Sequence, residues 1–276
     1  MADYPNQKFI VTPEWLAAHV DDPDVRIIDT RGTPQYGAGH IKNAVNFPVA
    51  RLDDPAKPGQ GALIPAERFA TVFGNLGIGS DDLVVLYDQG LSNMSARTFW
   101  AFDVYGHERV AILNGGISAW ATAGNPITSD LPQPEPKQYT PHPHPERSTD
   151  KAHVQESLGK PDVVLLDVRS DGEYTGAENH AMRGGHIPGA KHLEWANALQ
   201  PSQVPLFRAP EEIAQQLAGA GVSPDKEVIT YCQSGMRASH SYYVLRLMGY
   251  DKVSNYSGSW GDWGNDPSMP IEQGNG

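Results

Sequence analysis

LVVLYDQG at 83–90 and EVITYCQSG at 227–235 decide how this chain is built. Each is an apolar run rich in β-branched residues that stops at a polar turn, the pattern of a buried strand delivering its last side chain into a loop. Working outward, three more landmarks recur in the same order. VRIIDTR at 25–31 matches VVLLDVR at 163–169, GHIKNAVNF at 39–47 matches GHIPGAKHL at 185–193, and GGISAW at 115–120 matches GSWGDW at 258–263. In chain order the four pairs lie 138, 146, 144 and 143 residues apart, so the second half repeats the first with small insertions.

Each half gives the same coarse structure. Thr12-Pro13-Glu14 opens a helix, with threonine as the cap and proline in the first turn. Further helices are expected over 65–76, 94–106, 210–220 and 237–248, and strands at VRIIDT, LVVLYD, VAIL, VVLLDV, EVITYC and VSNY. Alternation of strands with helices implies crossover connections, hence an α/β fold with a small parallel sheet in each half, flanked by helices on both faces. Such folds place their chemistry in loops at the carboxyl ends of the strands, where Asp88 and Cys232 both fall.

LPQPEPKQYTPHPHPERS at 131–148 holds six prolines, which resist helix and sheet and favour an extended connection. The expected division is an N-terminal domain at 8–125, a proline-rich linker at 126–150 laid across both domains, and a C-terminal domain at 151–276. His142 and His144 lack further ligands nearby and are read as plain linker residues.

At 276 residues with 39% hydrophobic content the chain can fill two cores. A net charge of −12 excludes the basic footprint that nucleic-acid binding needs. It also sets a condition: an anionic ligand requires a local positive site. No apolar run is long enough to cross a bilayer, and MADYPNQKF has no secretory pattern. One cysteine rules out an intrachain disulfide and a cysteine-based metal cluster, which fits a reducing, cytoplasmic setting. No metal or organic cofactor is implied, and the internal pseudo-dimer leads us to expect a monomer.

Cys232 ends an apolar strand and opens CQSGMR, after which a helix begins. A thiol so placed faces N–H groups that have no intrahelical partner, and these donors favour an anionic sulfur. Gly235 lets the loop curl so that successive N–H groups from Gln233, Ser234, Gly235, Met236 and Arg237 converge on one anion, and Arg237 adds a permanent cation. The arrangement suits sulfur transfer, in which an ionised thiol attacks a donor's outer sulfur without an adjacent base. His240 is expected as a partly exposed helix residue with no part in the chemistry.

These motifs together resemble the tandem-domain rhodanese family over essentially the whole chain. YCQSGMR is similar to that family's active-site loop of a cysteine plus five residues, and GHIPGA and GSWGDW are similar to its flanking signatures, echoed by GHIKNA and GGISAW in the first half. The resemblance implies two rhodanese-like domains, the second catalytic through a persulfide on Cys232 and the first silent. Asp88 stands where Cys232 stands in the second half, and a carboxylate cannot carry persulfide sulfur.

Asp29 with Arg31 and Asp167 with Arg169 recur in both halves, as do His40 and His186, so their expected roles are structural. Trp260 and Trp263 are read as packing. The family's best-known donor-binding arginine corresponds here to Glu173. Arg183, which the first half lacks, is therefore a candidate to hold the donor's anionic group, alongside Arg237. A cationic loop favours thiosulfate as the small anionic donor and stabilises departing sulfite. Cyanide, a thiol or a dithiol protein would accept the sulfur. The alternative donor is 3-mercaptopyruvate, whose branch of the family resembles CGSGVT, small and uncharged where this loop has Gln233, Met236 and Arg237. Two further readings are a cell-cycle-type phosphatase and a sulfur-relay or docking module. The phosphatase pattern has five residues between cysteine and arginine, whereas four separate Cys232 from Arg237, a smaller cradle.

Overall fold

Short apolar runs alternating with helices bury themselves best as a parallel sheet covered on both faces, and this chain does so twice. Residues 3–274 are described, in a computed structural model. Positions 275 and 276, the end of the expected C-terminal domain, lie outside that range.

The first sheet is built from β1 (Ile10–Val11), β2 (Val25–Asp29), β3 (Val45–Asn46), β4 (Leu83–Tyr87) and β5 (Val110–Leu113) in the order β1-β5-β4-β2-β3. The second repeats it with β6 (Ser148–Thr149), β7 (Val163–Asp167), β8 (Lys191–His192), β9 (Glu227–Tyr231) and β10 (Val253–Tyr256) in the order β6-β10-β9-β7-β8. Every pairing within the two sheets is parallel. The expected strands all form; the two-residue edge strands β1, β3, β6 and β8 are additional.

In the first half the helices are α1 (Pro13–His19), α2 (Thr33–Ala38), α3 (Ala66–Asn75), α4 (Asn93–Val104) and α5 (Gly116–Thr122). In the second they are α6 (Lys151–Glu156), α7 (Asp171–Thr175), α8 (Pro210–Gly219), α9 (Met236–Leu247) and α10 (Ser259–Trp263). Thr12 caps α1 as expected, its hydroxyl accepting the Trp15 N–H at 3.2 Å.

Successive strand residues point to opposite faces, and the cores follow that alternation. Val85 and Tyr87 of β4 pack with α1 and α5, whereas Val84 and Leu86 face α3 and α4. Likewise Ile229 and Tyr231 of β9 pack with Trp260 and Trp263 of α10, whereas Val228 faces α8 and α9. The α3–α4 side of one sheet and the α8–α9 side of the other merge into a single core, with α4 laid against α9. Phe99 of α4 sits between Phe9 and Tyr243 of α9, edge-on to both with ring centres 5.1 and 4.9 Å away.

The proline-rich segment runs first along the N-terminal half. Lys137 N–H donates to the Gly74 carbonyl, His142 N–H to Tyr105 and His144 N–H to Val104, at 2.9, 2.9 and 2.7 Å. Arg147 then reaches the Asp251 carbonyl of the second half.

A charged contact crosses the α4–α9 seam. Asp103 accepts from Tyr242 Oη at 2.5 Å and from Arg246 Nε at 3.1 Å. Replacing Asp103 by alanine leaves the buried Tyr242 hydroxyl unpaired and Arg246 with the Asp251 carboxylate and Tyr250 carbonyl, so Asp103→Ala should lose roughly 1–3 kcal/mol of stability. The urea midpoint of unfolding measures it.

Candidate active site

Cys232 follows β9 directly and is 1% exposed. The chain then turns through Gly235, whose φ of +84° is left-handed, before α9 begins at Met236. A Cβ there would lie 2.4 Å from Ser257 Oγ and 2.9 Å from Arg97 Nη1, so both conformation and space demand glycine. The turn aims the Gly235 N–H at Cys232 Sγ, 3.1 Å away. Ser259 Oγ accepts the Cys232 N–H at 3.1 Å and lies 3.9 Å from Sγ. From behind, the first N–H groups of α10 hold the loop: Trp260 donates to the Cys232 carbonyl at 2.9 Å and Gly261 to that of Gln233 at 2.8 Å. GSWGDW is thus the clamp on the cysteine loop.

The loop's own cation is matched by a carboxylate. Arg237 donates from both terminal nitrogens to Glu173, at 2.6 and 2.8 Å. Glu173 is fixed by the capping box of α7, in which it and Ser170 exchange hydrogen bonds of 3.2 Å. Burial pushes the Glu173 carboxyl up, but the Arg237 and Ser170 bonds outweigh it and hold it at about 2. The residue at the position of the family's donor-binding arginine is therefore the counter-ion of Arg237.

The other expected site residues lie variously. Gln233 is tethered, its amide donating to the His180 carbonyl at 3.0 Å. Ser234 is exposed and Met236 half-buried at the rim. Arg183 is committed elsewhere: Nε donates to the Gly264 carbonyl at 3.2 Å, Nη1 to Met269 at 2.8 Å, and Nη2 to Trp263 at 3.2 Å and to Asp266. Half-buried, it braces the end of α10 and the chain that follows. The expectation of a partly exposed His240 is corrected. The ring is fully buried between Trp195 and Phe207, with neither nitrogen hydrogen-bonded.

The repeated pairs act on structure. Arg169 grips Asp167 through Nε and Nη2, at 3.0 and 2.6 Å, and reaches the Gly185 carbonyl; Arg31 does the same with Asp29 and Gly39. His40 stacks on Tyr36 and His186 on Tyr174, with ring centres 3.9 and 3.8 Å apart.

In the first half Asp88 takes the position of the sulfur. Its Oδ1 accepts the N–H groups of Gly90 and Ser92 at 2.8 and 3.0 Å, and its Oδ2 those of Met94 and Ser95 at 3.1 and 3.3 Å. Burial pushes this carboxyl up, and the four N–H groups act against that. The strand-end loop is thus a ring of donors that in the first half encloses a side chain of its own. Sequence reasoning missed Arg97, a buried arginine of α4 whose Nη1 donates to Ser257 Oγ beside the cysteine loop at 2.5 Å. Nothing local in SARTFW signals this, because the contact spans 160 residues.

This repeated fold, with a buried cysteine on a donor-lined strand-end loop, defines a class, and sequence comparison agrees. The rhodanese-like domain matches residues 12–123 and again 150–266, and the chain belongs to that family. A thiosulfate sulfurtransferase of Azotobacter vinelandii is 34% identical over 278 residues, covering 99% of this chain and 100% of that protein. The sulfur carrier protein TtuD of Thermus thermophilus is 35% identical over 285 residues, covering 98% and 99%. Among solved structures, the 3-mercaptopyruvate sulfurtransferase SseA of Escherichia coli superposes with a TM-score of 0.81 at 28% identity, covering 91% of this chain and 98% of that one.

His240 carries a consequence for stability. Burial pushes it from an ordinary 6.5 down to about 3. Between those values the unfolded chain binds a proton that the folded chain refuses, so stability falls as pH drops from about 6.5 towards 3. His240→Phe should flatten the stability–pH slope in that window by about 1.4 kcal/mol per pH unit. Urea unfolding at a series of pH values checks it.

Proposed function

We propose that the protein moves sulfane sulfur from thiosulfate to a thiophilic acceptor through a persulfide on Cys232. The observation that carries this reading is the buried sulfur at the carboxyl end of β9, receiving the Gly235 N–H within a loop clamped by α10. The Cys232 thiolate attacks the outer sulfur of thiosulfate, the S–S bond of the donor breaks, and sulfite leaves with the bonding pair. Cyanide or a thiolate then attacks the terminal sulfur, taking it away and restoring the thiolate. Neither displacement moves a proton at Cys232, so the lack of hydrogen-bonding partners on His240 is no obstacle. The names of the relatives from Azotobacter and Thermus support the same chemistry.

In this reading residues 8–125 form a catalytically silent domain, 126–150 connect, and the domain at 151–276 carries the reaction. Gln233, Ser234, Gly235 and Met236 form the cradle, with Gly235 N–H as the donor to sulfur, and Arg237 receives the donor's anionic end at the rim. Arg183 is assigned to bracing the C-terminal segment. A single thiol that must stay reduced suits a cytoplasmic setting, and the internal pseudo-dimer suits a monomer. Among the described residues no helix is long and apolar enough to cross a membrane.

One observation favours a second donor. Because Glu173 offsets the charge of Arg237, the rim is less cationic than its sequence suggests, which suits the less highly charged 3-mercaptopyruvate. Steady-state transfer to cyanide from each donor decides between them. A clear preference for mercaptopyruvate would overturn the thiosulfate assignment while keeping the carrier.

Cys232→Ser should abolish transfer and leave the fold intact, since a hydroxyl is a far poorer nucleophile at neutral pH. Turnover by that variant would remove Cys232 from the mechanism. Glu173→Gln frees Arg237 to meet an anion, and the KM for thiosulfate should fall severalfold, by the 1–2 kcal/mol of a charge-assisted contact. Arg237→Ala should raise it.

A further inference from the structure

Arg97 of α4 is 2% exposed, and its guanidinium lies over Trp100 with 4.6 Å to the ring centre. Besides Ser257 Oγ, it donates from Nη2 to Asp53 Oδ1 at 3.0 Å and to the Gly61 carbonyl at 3.2 Å. Asp53 offers one oxygen from a side chain that is 62% exposed, so water screens much of its charge. A guanidinium withdrawn from water needs an anion within the same low-dielectric space. The wall that Arg97 faces is the turn at Gly235, whose Cβ position is 2.9 Å from Nη1 and whose N–H holds Cys232 Sγ. Burial lowers the pKa of Arg97, and Asp53 and an ionised Cys232 act against it.

The other charges around the sulfur are paired within the second half, and Arg237, like Arg97, lies within reach of a charge on Cys232. Arg237 of α9 is bonded to Glu173 of α7, and Arg169 to Asp167 at the end of β7. His240, also on α9, sits neutral in an aromatic box, and α10 presents the uncharged Ser259.

We infer that Arg97 is a positioning residue that helps hold the sulfur of Cys232 in its anionic form, so that the catalytically silent domain supplies the active site with a buried cation whose one carboxylate partner is exposed. The inference rests on Cys232 as the sulfur carrier, but its readout is the thiol itself and needs no turnover. The ultraviolet band of the thiolate is followed against pH in the full chain, as the difference between each protein and its Cys232→Ser counterpart. Arg97→Met should move the midpoint up by about one pH unit, a roughly tenfold loss of thiolate below it. Arg97→Lys should restore the parent midpoint, and Asp53→Asn should move it down, because the charge of Arg97 is then no longer shared.

A folded Arg97→Met protein with the parent midpoint would overturn the inference. Equal shifts in the Met and Lys variants would do the same, marking a structural effect. Should Arg97→Met fail to fold, Asp53→Asn carries the test, and an unmoved midpoint there overturns the inference too. Failure of the carrier assignment shows separately, as sulfur transfer by Cys232→Ser.

Discussion

The packing of α4 against α9 is the contact on which the rest of the structure depends. Each sheet has one face closed by helices of its own half, and on the other face the helices are shared in a common core. α9 is buried from Ala238 to Leu247, polar residues included, because β9 and β10 lie on one side and α4 on the other. A helix apolar on one stripe can sit on a surface, but one buried all round needs partners on every side. The cysteine loop enters this helix, so its position is set from both halves of the chain.

Within that frame, the two strand-end loops solve one problem in two ways. Both present backbone N–H groups at the start of a helix to a negatively charged or polarisable side chain. In the first half the occupant is Asp88, which uses four of them. In the second half the occupant is the Cys232 sulfur, which accepts the Gly235 N–H. Local donors meet the condition set by the net charge of −12, since a buried dipole acts over short distances where the global field is weak.

The cations show how far residue type alone can be trusted. Arg237, Arg183 and Arg97 are alike as sequence, yet one is matched by Glu173, one is spent on four carbonyls after α10, and one is buried beside the turn at Gly235. A guanidinium with five donors takes whatever acceptors the fold brings near, and those are set by contacts distant in the chain.

The amino-acid sequence by itself determined the repeat, the parallel α/β architecture, the cap at Thr12, the strand-end position of Cys232 and the need for glycine at 235. These follow from local periodicity and backbone sterics, which neighbouring residues control. The two-residue edge strands were not legible, because two residues carry no period. His240 and Arg97 were misjudged or missed for a related reason: burial is a property of what packs against a helix, here Trp195 and Phe207 on α9 and the turn at Gly235 on α4. Only the tertiary structure decided which charges pair and that Arg97 of the first half lies buried beside the turn at Gly235. Those outcomes depend on contacts between residues from 44 to 160 positions apart, which no local pattern encodes.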